Sequence, residues 1–371
     1  MTTSQAHVNH NPAHFPLWDP AESLPDHTTM EDLRVVTHVS VERAESDGYH
    51  YLHESSPVWH GDSLYVCWAN HRLHEINTID ELVRFRRSDD GGFSWTPVRT
   101  WAEAPMGGSN SFNHPVITSE FGSLWGFFTR WDGESPGTEI MQLQPDERMR
   151  STGVTIPQFI PFRPPEKMPG GNWLMSGELT WYEAAVAISD GDDFTRWKVS
   201  IIPRPDGLSL KYPETTILRL DDRLVAVCRP NGTGFALVSI SRDWGVSWTP
   251  LQTSNLPIHA SQMFAGRIST GQNYLIFNSP APDRRSLLAI AVTRPGGTCY
   301  ERIWKIRHQA YPVIRLFGGY AVEGRIPESM AGKTTEWSYP GAIERDGKLY
   351  VSYTQGKEDC NLSIIPTEAL R

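Results

Sequence analysis

Reactive side-chain types recur in this chain at one kind of place, the ends of short apolar runs. His53, His114, Arg163, Glu214, Gln262 and Tyr339 stand at or just before the start of such runs. Asn70, His71, Arg130, Glu178, Arg229, Asn278 and Lys357 stand where such runs end. His74, Glu75, Arg284, Arg285 and Glu358 follow in the adjoining loops. Each type suits a particular chemistry. Histidine transfers protons near neutral pH. The planar fork of arginine matches a carboxylate. Tyrosine is a poor nucleophile alone, but a neighbouring carboxylate can take its proton as it attacks. A set so rich in His, Glu, Arg, Tyr and Lys reads as a functional surface rather than a solvated rim.

The elements that would position these residues form a repeat. Six segments combine a turn with an apolar strand: residues 60–68 (HGDSLYVCW), 121–128 (FGSLWGFF), 170–175 (GGNWLM), 221–228 (DDRLVAVC), 270–277 (TGQNYLIF) and 346–353 (DGKLYVSY). Each follows another short apolar run, so each reads as a hairpin joining the two inner strands of one blade. Six hairpins imply a six-bladed β-propeller. In such a hairpin the start of the first strand and the end of the second share one sheet edge. The reactive residues above therefore share one mouth of the central channel. Residues 33–41 (LRVVTHVSV) are expected to supply an outer strand that closes the ring. The organisation expected is an N-terminal extension over 1–30 and a single all-β domain over 31–371, built of four-stranded antiparallel sheets. Residues 298–337 are long for a connection between blades and read as a small helix or a flap over the mouth.

Two further segments match closely. Residues 88–95 (SDDGGFSW) and 241–248 (SRDWGVSW) both follow S-x-D-x-G-x-x-W, and residues 189–197 (SDGDDFTRW) are a looser copy. The Asp can cap a tight turn, the Gly allows an unusual φ, and the Trp folds back on the hairpin. This is the Asp-box, and the chain resembles the sialidase superfamily. The resemblance implies a sialidase-like propeller acting on a carbohydrate. Asp-boxes are structural turns and do not identify a reaction.

The resemblance also implies roles. Residues 212–229 (YPETTILRLDDRLVAVCR) look like the sialidase segment in which a Glu opens one inner strand and an Arg closes the next. In that family the Glu polarises a catalytic Tyr and the Arg binds the substrate carboxylate, which places these roles on Glu214 and Arg229. Residues 338–353 (SYPGAIERDGKLYVSY) put Tyr339 at the nucleophile position. Residues 283–291 (DRRSLLAIA) resemble the segment of a further arginine, so Arg285 or Arg284 is a candidate. A plainer alternative is that Glu214 and Arg229 only pair with each other across the hairpin.

The first half departs from the family. Sialidases open their first blade with an Arg before an Ile-Pro pair, whereas residues 53–57 here read HESSP. One leg of the carboxylate clamp is therefore missing. Glu75 is the candidate general acid, with His74 or Asp80 in the same region. His53, His71, His74 and His114, with Arg130 closing the second blade, also resemble the layout of propeller lyases that act on uronic acids. There His and Tyr abstract a proton and Arg neutralises the carboxylate. Three functions stay open. The first is an exo-acting glycoside hydrolase on a terminal acidic or deoxy sugar. It would use Tyr339 with Glu214, Arg229 and Arg285 to hold the substrate, and Glu75 or a His as acid; Glu178 with Glu214 could act as a carboxylate pair instead. The second is a lyase using His53, His71 and His114 with Arg130. The third is a non-catalytic glycan-binding propeller. Gln262 and Lys357 are candidate substrate contacts in any of them.

Composition sets outer bounds. The chain has 371 residues, 39% hydrophobic and 21% charged, with a formal net charge of −9. That balance argues against a nucleic-acid partner. The 14 Trp, 30 Gly and 28 Pro suit many short strands and turns. Cys67, Cys228, Cys299 and Cys360 show no CxxC spacing, and Cys67 and Cys228 read as buried thiols. No HxH or HExxH pattern points to a metal, and no cofactor is expected. No leader-like or membrane-spanning run is seen, so no membrane partner and a cytoplasmic location are expected.

Overall fold

All six expected inner hairpins form, and each opens one antiparallel sheet. The computed structural model describes residues 15–43, 48–49, 51–72, 80–104, 110–133, 136–230, 232–282, 285–308 and 336–371. The blades span residues 51–102, 111–157, 159–201, 216–257, 264–308 and 337–366, numbered one to six here. In blades one to five the strands run in sequence order from the channel outward. Blade six is completed by Thr37–Glu42, which pairs with Asp359–Pro366 as its outermost strand. The N-terminal part of the chain thus closes the ring, as the 33–41 pattern suggests.

Blade three differs from the four-stranded expectation. Its inner strand is broken into Phe159–Pro161 and Glu166–Lys167, giving five strands in the sheet. Pro164 and Pro165 fall in the break, and neither can donate to a ladder. Arg163 lies beyond the end of Phe159–Pro161 rather than at a strand start. It bonds to Ile217 O and Glu166, on the side of the channel opposite the mouth expected for it.

Inner strands bury both faces because each face meets a neighbouring blade. The six apolar clusters correspond to the six blade-to-blade contacts. Phe85, Trp101, Phe128 and Met141 join blades one and two, while Trp68, Leu64, Tyr350 and Leu362 join blades one and six. Cys67, Cys228 and Cys360 are buried free thiols within these layers. Leu17, Trp18 and Met30 pack into the cluster between blades four and five.

The two clean Asp-boxes connect the third and fourth strands of blades one and four. In each, the Ser hydroxyl accepts the Gly N–H and the Asp carboxylate accepts N–H groups three or four residues on. Gly245 is required twice over. It has a φ of +97°, and a Cβ there would lie 2.4 Å from Leu174 Cδ1 of blade three. The box is therefore also a contact between blades. The looser copy at 189–197 is a short hairpin turn, in which Ser189 Oγ bonds to Gly191 O instead. Part of the supposed long connection over 298–337 is a strand. Arg302–His308 forms the outer edge of blade five; residues 309–335 lie outside the described residues.

Candidate active site

Four polar residues at the channel mouth share an unusual backbone. Glu54, His114, Glu214 and Tyr339 all have positive φ, between 38° and 60°. Glu54, His114 and Tyr339 sit in bulges where the inner strand slips register against its partner, at His53/Ser56, Asn113/Val116 and Ser338/Gly341. Glu214 stands just before Thr216–Arg219, the inner strand of blade four. A left-handed non-glycine residue is costly, and a bulge re-aims a side chain. These four residues occupy corresponding places around the same mouth.

The centre of the site is a shared carboxylate oxygen. Tyr339 Oη donates to Glu214 Oε1, and Arg229 Nη1 donates to the same oxygen at 2.8 Å. Tyr339 is 6% exposed and Glu214 2%. Among the described residues the buried Glu214 Oε2 has no hydrogen-bond partner. So Glu214 and Arg229 do pair across the hairpin, but with Tyr339 on the same atom. Glu178, closing the second strand of blade three, accepts the Glu214 backbone N–H at 3.0 Å. Burial, then the charge of Glu214, push the Glu178 carboxyl up to about 8. Its protonated form is therefore favoured beside Glu214. Glu54 makes a matching bond to the His114 N–H at 2.6 Å. Two carboxylates therefore pin two left-handed residues of the next blade.

Arg285 approaches from blade five. Its Nε and Nη2 donate to Ala260 O at 3.2 and 3.0 Å, and Nη1 bonds to Glu336. The guanidinium lies 5.6 Å from the Tyr339 ring centre. Burial opposes the charge on Glu336, but Arg285 and Lys357 overcome it and hold the carboxyl down at about 2. Asn278 ties this corner together by donating to Arg285 O, Leu287 O and Trp337 O.

His53 covers the other side of Tyr339, with ring centres 3.9 Å apart. It is fully buried. Burial, with the nearby charges of Lys357 and Arg285, lowers its pKa well below the usual value, so the ring is neutral. His53 Nδ1 and Thr354 Oγ1 share a hydrogen bond at 2.9 Å, and Thr354 Oγ1 also lies 3.1 Å from Ser338 O. Among the described residues Nε2 has no hydrogen-bond partner.

The structure thus gathers Tyr339, Glu214, Arg229, Arg285, Glu178, His53 and Lys357 into one cluster. His114 stands next to it, paired with Glu54 Oε1 at 3.2 Å and edge-on to Phe162. Gln262 donates to Phe162 O at 3.3 Å, below the mouth. There the channel shrinks to a void of about 20 Å³ lined by Glu54, His114, Phe162 and Gln262. His71 is buried at the end of its strand, opposite Tyr51. Arg130 is the exception. Its side chain is half exposed and turns to Glu139 in its own blade, 3.4 Å away, because that carboxylate stands on the adjoining strand. His74, Glu75 and Arg284 lie outside the described residues. Glu336 was not singled out from the sequence; the signal for it is a carboxylate three residues before Tyr339. A depression of about 550 Å³ on blade three, lined by Trp197 and Lys198, contains none of these residues. Among the described residues no three His, Cys, Asp or Glu side chains converge as metal ligands. No helix there is long and apolar enough to cross a membrane.

Known structures share this architecture. The Hadza microbial sialidase Hz136 is 14% identical with a TM-score of 0.67, covering 90% of this chain and 69% of its own. A protein of unknown function from Dyadobacter fermentans DSM 18053 is 15% identical with a TM-score of 0.63, covering 89% and 98%. A Trypanosoma rangeli sialidase is 12% identical with a TM-score of 0.63, covering 90% of this chain. The chain spans 60% of that last protein's length. At these identities the likeness establishes the fold. No curated protein matches in sequence. The BNR repeat-like domain family matches residues 62–351, a span that holds five of the six inner hairpins nearly whole, both Asp-boxes and Tyr339, so the chain belongs to that family.

Proposed function

We propose that this protein is a glycoside hydrolase that removes a terminal sugar through a covalent sugar–tyrosine intermediate. The observation that carries the proposal is the Tyr339–Glu214–Arg229 triad on one carboxylate oxygen. Tyr339 oxygen attacks the anomeric carbon while its proton passes to Glu214 Oε1. The bond to the leaving oxygen breaks as an acid protonates that oxygen. Water then displaces Tyr339 from the sugar, giving its proton back to that acid, and Glu214 returns the proton to Tyr339. Glu75 is the proposed acid. Arg229 and Arg285 stand beside Tyr339 and favour a substrate with a carboxylate or a polar ring edge. Support from outside the chain is the fold shared with sialidases.

One observation favours a second reading. A neutral imidazole, its ring 3.9 Å from that of Tyr339, is a group able to take a proton from a sugar carbon. That would make a lyase on uronic-acid glycans. A screen of aryl α-sialosides, other aryl glycosides and uronic-acid polysaccharides separates the two. Release of phenol is the expected result. Ultraviolet absorbance from a new C=C bond without phenol would replace the hydrolase with the lyase. Glycan binding without turnover would leave only a binding propeller.

A further inference from the structure

The rim beside Glu214 carries large aromatic side chains that no step above uses. Trp181, at the tip of the hairpin that follows Glu178, is 68% exposed. Tyr212, two residues before Glu214, is 38% exposed. Tyr182 meets Tyr212 edge-on with ring centres 4.9 Å apart, which joins blade three to the segment leading into blade four. Tyr182 and Tyr212 both have left-handed backbone, at φ of 66° and 54°. Bulky residues rarely accept that conformation, and such strain collects at working sites. The aromatic rim is also continuous with the catalytic cluster. The Arg229 guanidinium lies 5.6 Å from the Tyr212 ring centre while it donates to Glu214. Lys211, with its ammonium 5.5 Å from the same ring, adds a polar fringe.

We infer that this rim is a second sugar-binding subsite, in which Trp181 stacks on the ring next to the one cleaved off and Tyr182 with Tyr212 forms the wall. The inference rests on the glycosidase reading and extends it, because it makes the substrate an oligosaccharide rather than a simple glycoside. A pyranose has one face of C–H groups and a polar edge. An exposed indole matches the face, and the Arg229–Lys211 fringe matches the edge. Trp181 therefore extends the polar site outward with an aromatic face of the kind a sugar ring stacks on.

The test uses the full chain as Tyr339→Phe, so that bound glycans are not turned over. It is applied to an array of monosaccharides and of di- to tetrasaccharides ending in the same terminal sugars. The expected result is binding about tenfold tighter for the disaccharides, a gain that Trp181→Ala removes and Trp181→Phe partly restores. An equal affinity for mono- and disaccharides, or a gain that survives Trp181→Ala, would overturn the subsite and leave the hydrolase reading intact. No binding to any glycan would overturn both. Trp181 is exposed, so its substitution leaves the core unchanged.

Discussion

At Glu178, burial and the neighbouring Glu214 charge push the carboxyl up to about 8. The unfolded chain releases that proton near the ordinary glutamate value of 4.5. Between those values the folded state binds the extra proton, so this group's contribution to stability is full below 4.5 and lost as pH rises to about 8. Glu178→Gln keeps an oxygen for the Glu214 N–H but removes the titration. Thermal melting from pH 4.5 to 8 should fall less steeply in the variant than in the parent. An unchanged slope would mean that Glu178 is ionised. The sequence placed Tyr339, Glu214 and Arg229 at one mouth, because all three stand at ends of legible apolar runs. It did not carry the left-handed bulges, since a register slip depends on the partner strand. Nor did it show that Arg285 meets Glu336, or that His53 is neutral. Those depend on burial and on groups distant in the chain, such as Ala260, Glu336 and Thr354.

At the scale of the element, the Asp-box couples blades rather than serving the site. Gly245→Ala meets both a left-handed φ and Leu174 of the neighbouring blade. It should destabilise the protein by roughly 2 kcal/mol, read by denaturant unfolding, and leave the mouth unchanged. The turn itself was visible as S-x-D-x-G-x-x-W. Its contact with blade three was not, because nothing in the spacing says what lies across the turn. The broken inner strand of blade three was written in Pro164 and Pro165, yet the position of Arg163 was misplaced. Strand starts there shift by several residues, and only pairing with Gly177–Leu179 fixes them.

At the scale of the whole molecule, ring closure makes the outer strand of blade six depend on Thr37–Glu42. A chain that begins at residue 48 would expose Asp359–Pro366 as a sheet edge and lose Val41 from the layer between blades one and six. It should appear aggregated in size-exclusion chromatography, whereas the full chain should not. The blade count was legible because the hairpin repeats six times. The extent of blade five was not, since Arg302–His308 has no turn signal close after it.

The hydrolase mechanism depends most on Tyr339 being the nucleophile that Glu214 deprotonates. The direct measurement is the rate of phenol release from the best-cleaved aryl glycoside by the parent, by Tyr339→Phe and by Glu214→Gln. Each substitution is expected to lower kcat by about a thousandfold or more, with binding retained. Tyr339→Phe at or near the parental rate would contradict it.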